Sequence, residues 1–299
     1  MRRAILIVAV MLAIAIIALL AIGSQLTKPA PATIGPAPIG ATSVQFDSAS
    51  GTQIHGWWMN GDATHGVVIL LPGVRANRTS MLGRARFLHD AGYSILLIDL
   101  QATGESRGDA ITFGWRERHD VLAAVTFARA RAPHKRIAII GSSLGGAAAL
   151  LATPPLDVDA MVLEAVYPTI DRAVENRLAM RIGRPLARLA SPLLLAQLRP
   201  RLGIDANALA PMHHVARVRC PVFVIAGAND KHTTPNDTRA MYAAARASKQ
   251  LWLVPNREHV DLHSSDTREY EQRVLAFLAT ATRTSPGQPS GTTAIRSAR

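Results

Sequence analysis

Residues 137–152 read IAIIGSSLGGAAALLA: an apolar run, two adjacent serines set between glycines, and then a stretch of alanine and leucine. Taken as strand, sharp turn and helix, this stretch decides the fold, because the turn carries Gly-x-Ser-x-Gly centred on Ser143. Centring on Ser142 would require glycine at 140 and 144, where Ile140 and Leu144 stand. A nucleophile on such a turn occupies strained backbone, and neighbours with a Cβ would crowd it, which Gly141 and Gly145 avoid. Its hydroxyl then projects above a sheet edge, with the positive end of the new helix directed at a reacting carbonyl.

Working outward, short apolar runs at 66–73 (GVVILLPG), 93–100 (YSILLIDL), 159–165 (DAMVLEA), 220–227 (CPVFVIAG) and 250–255 (QLWLVP) read as further strands buried on both faces. Residues 42–60 read as two more strands around a polar SASG turn. Helical spacing of apolar residues recurs between these runs, near 79–92, 115–132, 236–247 and 266–281. Strands that alternate with helices predict an α/β domain with a mostly parallel sheet covered on both sides. One segment breaks the alternation: about 167–218 has no strand pattern and several prolines, and is expected to form a helical cap.

A serine hydroxyl needs a base, and the base needs an orienting carboxylate. Asp230 follows the strand at 220–227 and His259 follows the strand at 250–255, so both fall on the rim expected to carry Ser143. The chain order Ser, Asp, His suits this architecture. His263, four residues on and expected in the first turns of the last helix, and His232, beside the acid, compete with His259 for the role of base. Asp261 reads as a loop or cap residue. An oxyanion hole requires two donors; the N–H of Leu144, after the nucleophile, is one, and Val74, in the loop after the strand at 66–73, is the candidate for the other.

Together, LLPGVRANR (70–78), IDLQATGES (98–106), GSSLGG (141–146), GANDKHTTP (227–235) and REHVDL (257–262) make the chain similar to the α/β-hydrolase superfamily. The resemblance is closest to bacterial serine hydrolases of the serine aminopeptidase-like and BEM46-like branch. It spans about 42–281 and is weakest in the cap. It implies the α/β-hydrolase fold, a sheet of about eight strands, a serine nucleophile, no metal and no cofactor. It does not imply a substrate, since this fold hosts many chemistries.

The formal charge is +12, from 33 basic and 21 acidic residues. Aromatics make up only 5% and no basic run exceeds two residues, so nothing resembles a nucleic-acid platform. Cys220 is the single cysteine, which excludes an intrachain disulfide and a cysteine-based zinc site. Residues 4–22 are apolar without interruption, long enough to span a bilayer. Segment 1–23 is therefore expected to be a transmembrane signal anchor, with Arg2 and Arg3 inside and the domain on the outer, periplasmic or extracellular, side. Cleavage near Ala21 and Gly23, giving a secreted protein, is the alternative. Residues 24–41, rich in proline and alanine, are expected to be a semi-rigid spacer holding the domain off the bilayer, and 282–299 a disordered basic tail.

Between 172 and 201 the cap interleaves seven arginines, among them Arg172, Arg177, Arg188 and Arg201, with Leu186, Leu189, Leu193, Leu194 and Leu195. Either the leucines pack on the domain with the arginines in water, or the cap is an amphipathic lid beside the bilayer lining an acyl-sized pocket. The expected function is hydrolysis of carboxylic esters, on small or lipid-like substrates at the membrane. Peptide or amide hydrolysis by the same triad, and an inactive membrane-tethered binding protein, are the other readings. Oligomeric state is not legible.

Overall fold

The computed structural model describes residues 1–281; the tail expected at 282–299 lies outside the described residues. The chain opens with α1 (Arg2–Thr27) and β1 (Ala30–Pro31), then β2 (Ala41–Ser48) and β3 (Thr52–Met59). There follow β4 (Val67–Leu71), α2 (Leu82–Asp90), β5 (Ser94–Ile98), β6 (Thr103–Gly104), α3 (Glu117–Arg131), β7 (Ile137–Ser142), α4 (Leu144–Leu151) and β8 (Ala160–Glu164). The cap holds α5 (Ile170–Leu195), α6 (Leu198–Leu202) and α7 (Pro211–Val215). The domain closes with β9 (Val222–Gly227), α8 (Pro235–Ala244), β10 (Lys249–Val254), α9 (Leu262–Ser265) and α10 (Thr267–Ala281).

Eight strands form one sheet in the order β10-β9-β8-β7-β4-β5-β3-β2. The β2–β3 hairpin and the β3–β5 pair are antiparallel, and the remaining pairs are parallel. The apolar runs explain this arrangement, because alternate residues of each inner strand feed opposite layers. Val67, Ile69 and Leu71 join the core beneath α3 and α4, whereas Val68 and Leu70 join the one beneath α2 and α10. In β7, Ile137 and Ile139 divide from Ala138 and Ile140 in the same way. Both faces are thus covered, as parallel strands require. The chain runs from β4 to β5 on one side and returns to β7 on the other, so the crevice at the carboxyl ends of β4 and β7 is the topological switch point. Leu71 is in register with Gly141 there, which places the loop carrying Val74 beside the turn carrying Ser143.

The proline-rich segment, read as a semi-rigid spacer holding the domain off the bilayer, is docked on the domain. Ala30 and Ala32 donate backbone N–H groups to the carbonyls of Ala102 (2.8 Å) and Gly104 (2.9 Å), and Ile34 is buried. Proline gives up its own donor, but it leaves its neighbours extended and able to pair at an edge.

The cap leucines divide between two faces. Gly183, at φ 75° and ψ 159°, breaks α5 into two segments. Beyond the break the inward face is Ala187, Ser191, Leu194 and Leu195, all buried. Leu186, Leu189 and Leu193 lie on the opposite face and are 57, 71 and 58% exposed. The cap therefore shows an apolar stripe at helical spacing to its surroundings instead of burying it.

Candidate active site

The two serines have different backbone roles. Ser142 is the last residue of β7 and stays in its ladder opposite Glu164. Ser143 stands on the turn at φ 45° and ψ −104°, a conformation that costs about 1–3 kcal/mol and persists only where its surroundings enforce it. Its N–H donates to the Glu164 carbonyl at 2.7 Å, and its own carbonyl accepts from Ala147 at 3.0 Å. A Cβ on Gly145 would lie 2.6 Å from the Leu71 carbonyl and 2.7 Å from that of Pro72, so only glycine lets α4 start this close to β4. Ser143 is nearly buried, and among the described residues its Oγ has no hydrogen-bond partner.

Asp230 leaves the end of β9 and is buried. Its Oδ1 accepts from the N–H groups of His232 (2.7 Å) and Thr233 (2.9 Å), and its Oδ2 lies 2.7 Å from Nδ1 of His259. One carboxylate is thereby fixed in place and spends its free oxygen on Nδ1 of the imidazole, which leaves Nε2 out of this contact. The loop bearing His259 packs directly on the end of β9: a Cβ on Gly227 would fall 2.3 Å from the Arg257 carbonyl and 2.4 Å from that of Glu258. Asp261 caps α9, accepting from the N–H of His263, and pairs with Arg84 at 2.8 Å. Arg84 in turn holds Glu164 through two bonds of 2.9 and 2.6 Å and faces Tyr270, which also donates to Glu164. This buried group ties the strand beside Ser143 to the loop of His259. The sequence carries no local signal for it, since Arg84 stands 80 or more residues from each of its partners.

The rival histidines are turned to other work. His263 lies in the separate short helix α9, not in α10, stacks on Phe87 and bonds Glu271 at 2.9 Å. His232 lies against His259, ring centroids 4.8 Å apart. Burial, together with the charges of His259 and Arg177, holds its imidazole below the usual histidine range. Burial pushes the thiol of Cys220 up to about 12, so it offers no competing nucleophile. Among the described residues no group of three His, Cys, Asp or Glu side chains is placed to hold a metal ion.

Ser143 opens into a cavity of about 470 Å³, within the range of small-ligand sites. Val74 and Leu144 line it beside the serine, and neither backbone N–H meets an acceptor among the described residues. Phe113 and Tyr167 form one wall, with the Tyr167 hydroxyl donating to the Phe113 carbonyl. Leu194, Leu195 and Leu198 of the cap form another. The last wall was not expected: Gly23, Gln25, Leu26 and Thr27, the final turn of α1, close the cavity. Gln197 donates to the Leu19 carbonyl at 3.0 Å, and Arg201 donates to the Leu20 carbonyl (2.8 Å) and to Ser24 Oγ (2.7 Å). α1 contains one stretch, Ile5–Thr27, long and apolar enough to cross a membrane. The one hint in the sequence was that helix-compatible residues continue past the apolar run, through Ser24, Gln25 and Leu26.

A sheet with this strand order, a strained serine at the switch point and an acid–histidine pair on the same rim define the α/β-hydrolase class. The chain belongs to the alpha/beta hydrolase family, whose model matches residues 54–273. It is 25% identical over 241 residues to YqkD of Bacillus subtilis, with 79% of each chain covered. It is 27% identical over 266 residues to YfhR of Salmonella typhimurium, covering 83% of this chain and 84% of that one. Among solved structures, an esterase of Pyrococcus furiosus superposes with a TM-score of 0.69 at 21% identity, covering 86% of this chain and 100% of the other. A bacterial membrane phospholipase A superposes with a TM-score of 0.60 at 17% identity, covering 95% and 100%. At these identities the structural likeness is one of fold.

Proposed function

We propose that the protein is a serine hydrolase of carboxylic esters, held to a membrane by α1. The observation that carries the reading is the hydrogen bond between Asp230 and His259 on the rim where Ser143 sits in strained backbone. In this reading Ser143 Oγ attacks the ester carbonyl while its proton passes to Nε2 of His259. The N–H groups of Val74 and Leu144 receive the oxyanion. Collapse expels the alcohol, which takes the proton from the imidazolium, and leaves an acyl-serine. Water, deprotonated by the same nitrogen, then attacks the acyl carbonyl and releases the acid. Asp230 keeps the imidazole in the tautomer with Nδ1 protonated and stabilises its charge. A serine and base that do not touch before substrate binds are compatible with this scheme, since such contacts tighten in the Michaelis complex.

Attachment through an uncleaved α1 fits the contacts of Leu19, Leu20 and Ser24 with the cap, and Arg2 and Arg3 ahead of the apolar run favour the outer side for the domain. Removing the helix would take away one wall of the cavity. Hydrolysis of p-nitrophenyl butyrate by the full chain in detergent, compared with aminoacyl p-nitroanilides at equal concentration, tests the reaction. Turnover of the ester that is lost in Ser143→Ala supports the proposal; turnover of the anilides alone replaces it with an amidase. The intact mass of protein extracted from membranes, with or without residues 1–23, tests the anchor.

A further inference from the structure

Three arginines, Arg75, Arg177 and Arg201, line the cavity beside Ser143, and no aspartate or glutamate does. The two arginines that are buried among the described residues are both neutralised by carboxylates. Arg78 is paired with Asp99 and Glu105, and Arg84 with Glu164 and Asp261. Even Arg172 and Arg188 on the cap surface have carboxylate partners. Among the described residues the cavity arginines, Arg177 half-buried and Arg75 and Arg201 exposed, meet only neutral acceptors. Arg75 donates to the carbonyls of Gln25 (3.3 Å) and Lys28 (3.0 Å). Arg201 donates to Gln197, Ser24 and Leu20, and Arg177 donates to the Ala173 carbonyl at 2.9 Å.

Arg177 is the sharpest of the three. The nearest carboxylate to influence it is Asp230, whose oxygens are already taken by His232, Thr233 and His259. Burial outweighs the charge of Asp230 and holds its guanidinium below the usual arginine range. An arginine remains charged even so, and a charge that lines an apolar cavity with no carboxylate bonded to it is costly unless a counter-charge arrives. The rest of the lining is largely apolar, so the incoming molecule presents both hydrocarbon and a negative charge.

We infer that the substrate is an acyl ester bearing an anionic group, a phosphate or a carboxylate, which pairs with Arg177 close to the reacting serine. Arg75 and Arg201, held against the last turns of α1, add positive potential where the cavity meets the helix. The turnover arm below rests on the serine-hydrolase reading; the binding arm does not.

The test uses the full chain in nonionic detergent and two matched pairs of esters, monodecanoylglycerol with its 3-phosphate and monobutanoylglycerol with its 3-phosphate. Each pair differs only in charge. The ratio of kcat/KM, phosphate over neutral, is expected to exceed about tenfold in the wild type, the scale of one charged hydrogen bond. It should fall toward unity in Arg177→Met, which keeps the apolar stem, and recover in part in Arg177→Lys. A ratio above ten for both chain lengths identifies a soluble anionic ester as sufficient; a ratio above ten for the decanoyl pair alone identifies an anionic lipid. A wild-type ratio near or below one, or a ratio that Arg177→Met does not move, overturns the inference. For the binding arm, the rise in Tm of Ser143→Ala with decyl phosphate is compared with that given by decanol. Greater stabilisation by the phosphate, lost in the Ser143→Ala, Arg177→Met double variant, supports the anionic site even if no ester is turned over. Equal stabilisation by the two compounds removes it.

Discussion

Nδ1 of His259 and Oδ2 of Asp230 lie 2.7 Å apart, and the acid's other oxygen is held by two backbone N–H groups. The carboxylate therefore cannot turn away from the imidazole. In the proposed mechanism this contact sets which ring nitrogen carries the proton.

Asp230→Asn should leave the fold intact and reduce kcat on p-nitrophenyl butyrate by about 10⁴-fold, because an amide donor favours the wrong tautomer. Steady-state kinetics at neutral pH check this. A loss of less than tenfold would remove Asp230 from the mechanism.

The Arg84, Glu164, Asp261 and Tyr270 cluster is expected to matter for stability first. Glu164→Ala leaves the buried Arg84 guanidinium with only the half-exposed Asp261 as its carboxylate partner and should cost about 3 kcal/mol, which lowers Tm by about 10 °C in a domain of this size. Asp261 is half-exposed, so Asp261→Asn should cost far less stability while lowering kcat, since it loosens the loop that carries His259. Thermal melts and kinetics on the two variants separate the effects.

Asp120 is buried and accepts from Ser48 Oγ (2.6 Å) and the Gln101 N–H (2.8 Å). Burial pushes its carboxyl up to about 7. The native state thus holds a proton that the unfolded chain, titrating near about 4, has already lost. Where the native state binds more protons, stability falls as pH rises, so this group erodes stability between about pH 4 and 7. Asp120→Asn lacks that contribution, and its Tm relative to the wild type should climb across the window. A difference that does not change with pH would contradict the assignment.

Gly23 faces the cavity at the end of α1, and a Cβ there already meets the Gln197 amide at 2.3 Å. Gly23→Trp should displace that amide and fill part of the cavity. The expected result is a larger loss of kcat/KM on a decanoyl ester than on a butanoyl ester, by about tenfold, the scale of a blocked hydrophobic subsite. Equal losses on both would mean that the end of α1 does not contact substrate.

The sheet was legible because its inner strands are apolar on both faces and so appear as unbroken runs such as VVILL and SILLI. The serine was legible because glycines at 141 and 145 are demanded by backbone contact. His259 and Asp230 could be placed because each closely follows such a run. The docking of α1 and the linker was not legible, since it rests on main-chain carbonyls of Leu19, Leu20 and Ala102 meeting distant donors, and carbonyls carry no side-chain signature. Helical periodicity placed leucines and arginines on the cap but not its facing, because Gly183 resets the face of α5 partway along. Arg177, one of seven similar arginines in sequence, turned out to face the cavity.

The central claim is that Ser143 is the nucleophile, and labelling by a fluorophosphonate probe tests it most directly. The full chain in detergent would be compared as wild type, Ser142→Ala and Ser143→Ala, each first shown to be folded by its melting transition. Labelling of the wild type and of Ser142→Ala, lost only in Ser143→Ala, is the predicted result. Labelling that persists in Ser143→Ala, or a folded wild type that takes up no probe, would contradict it.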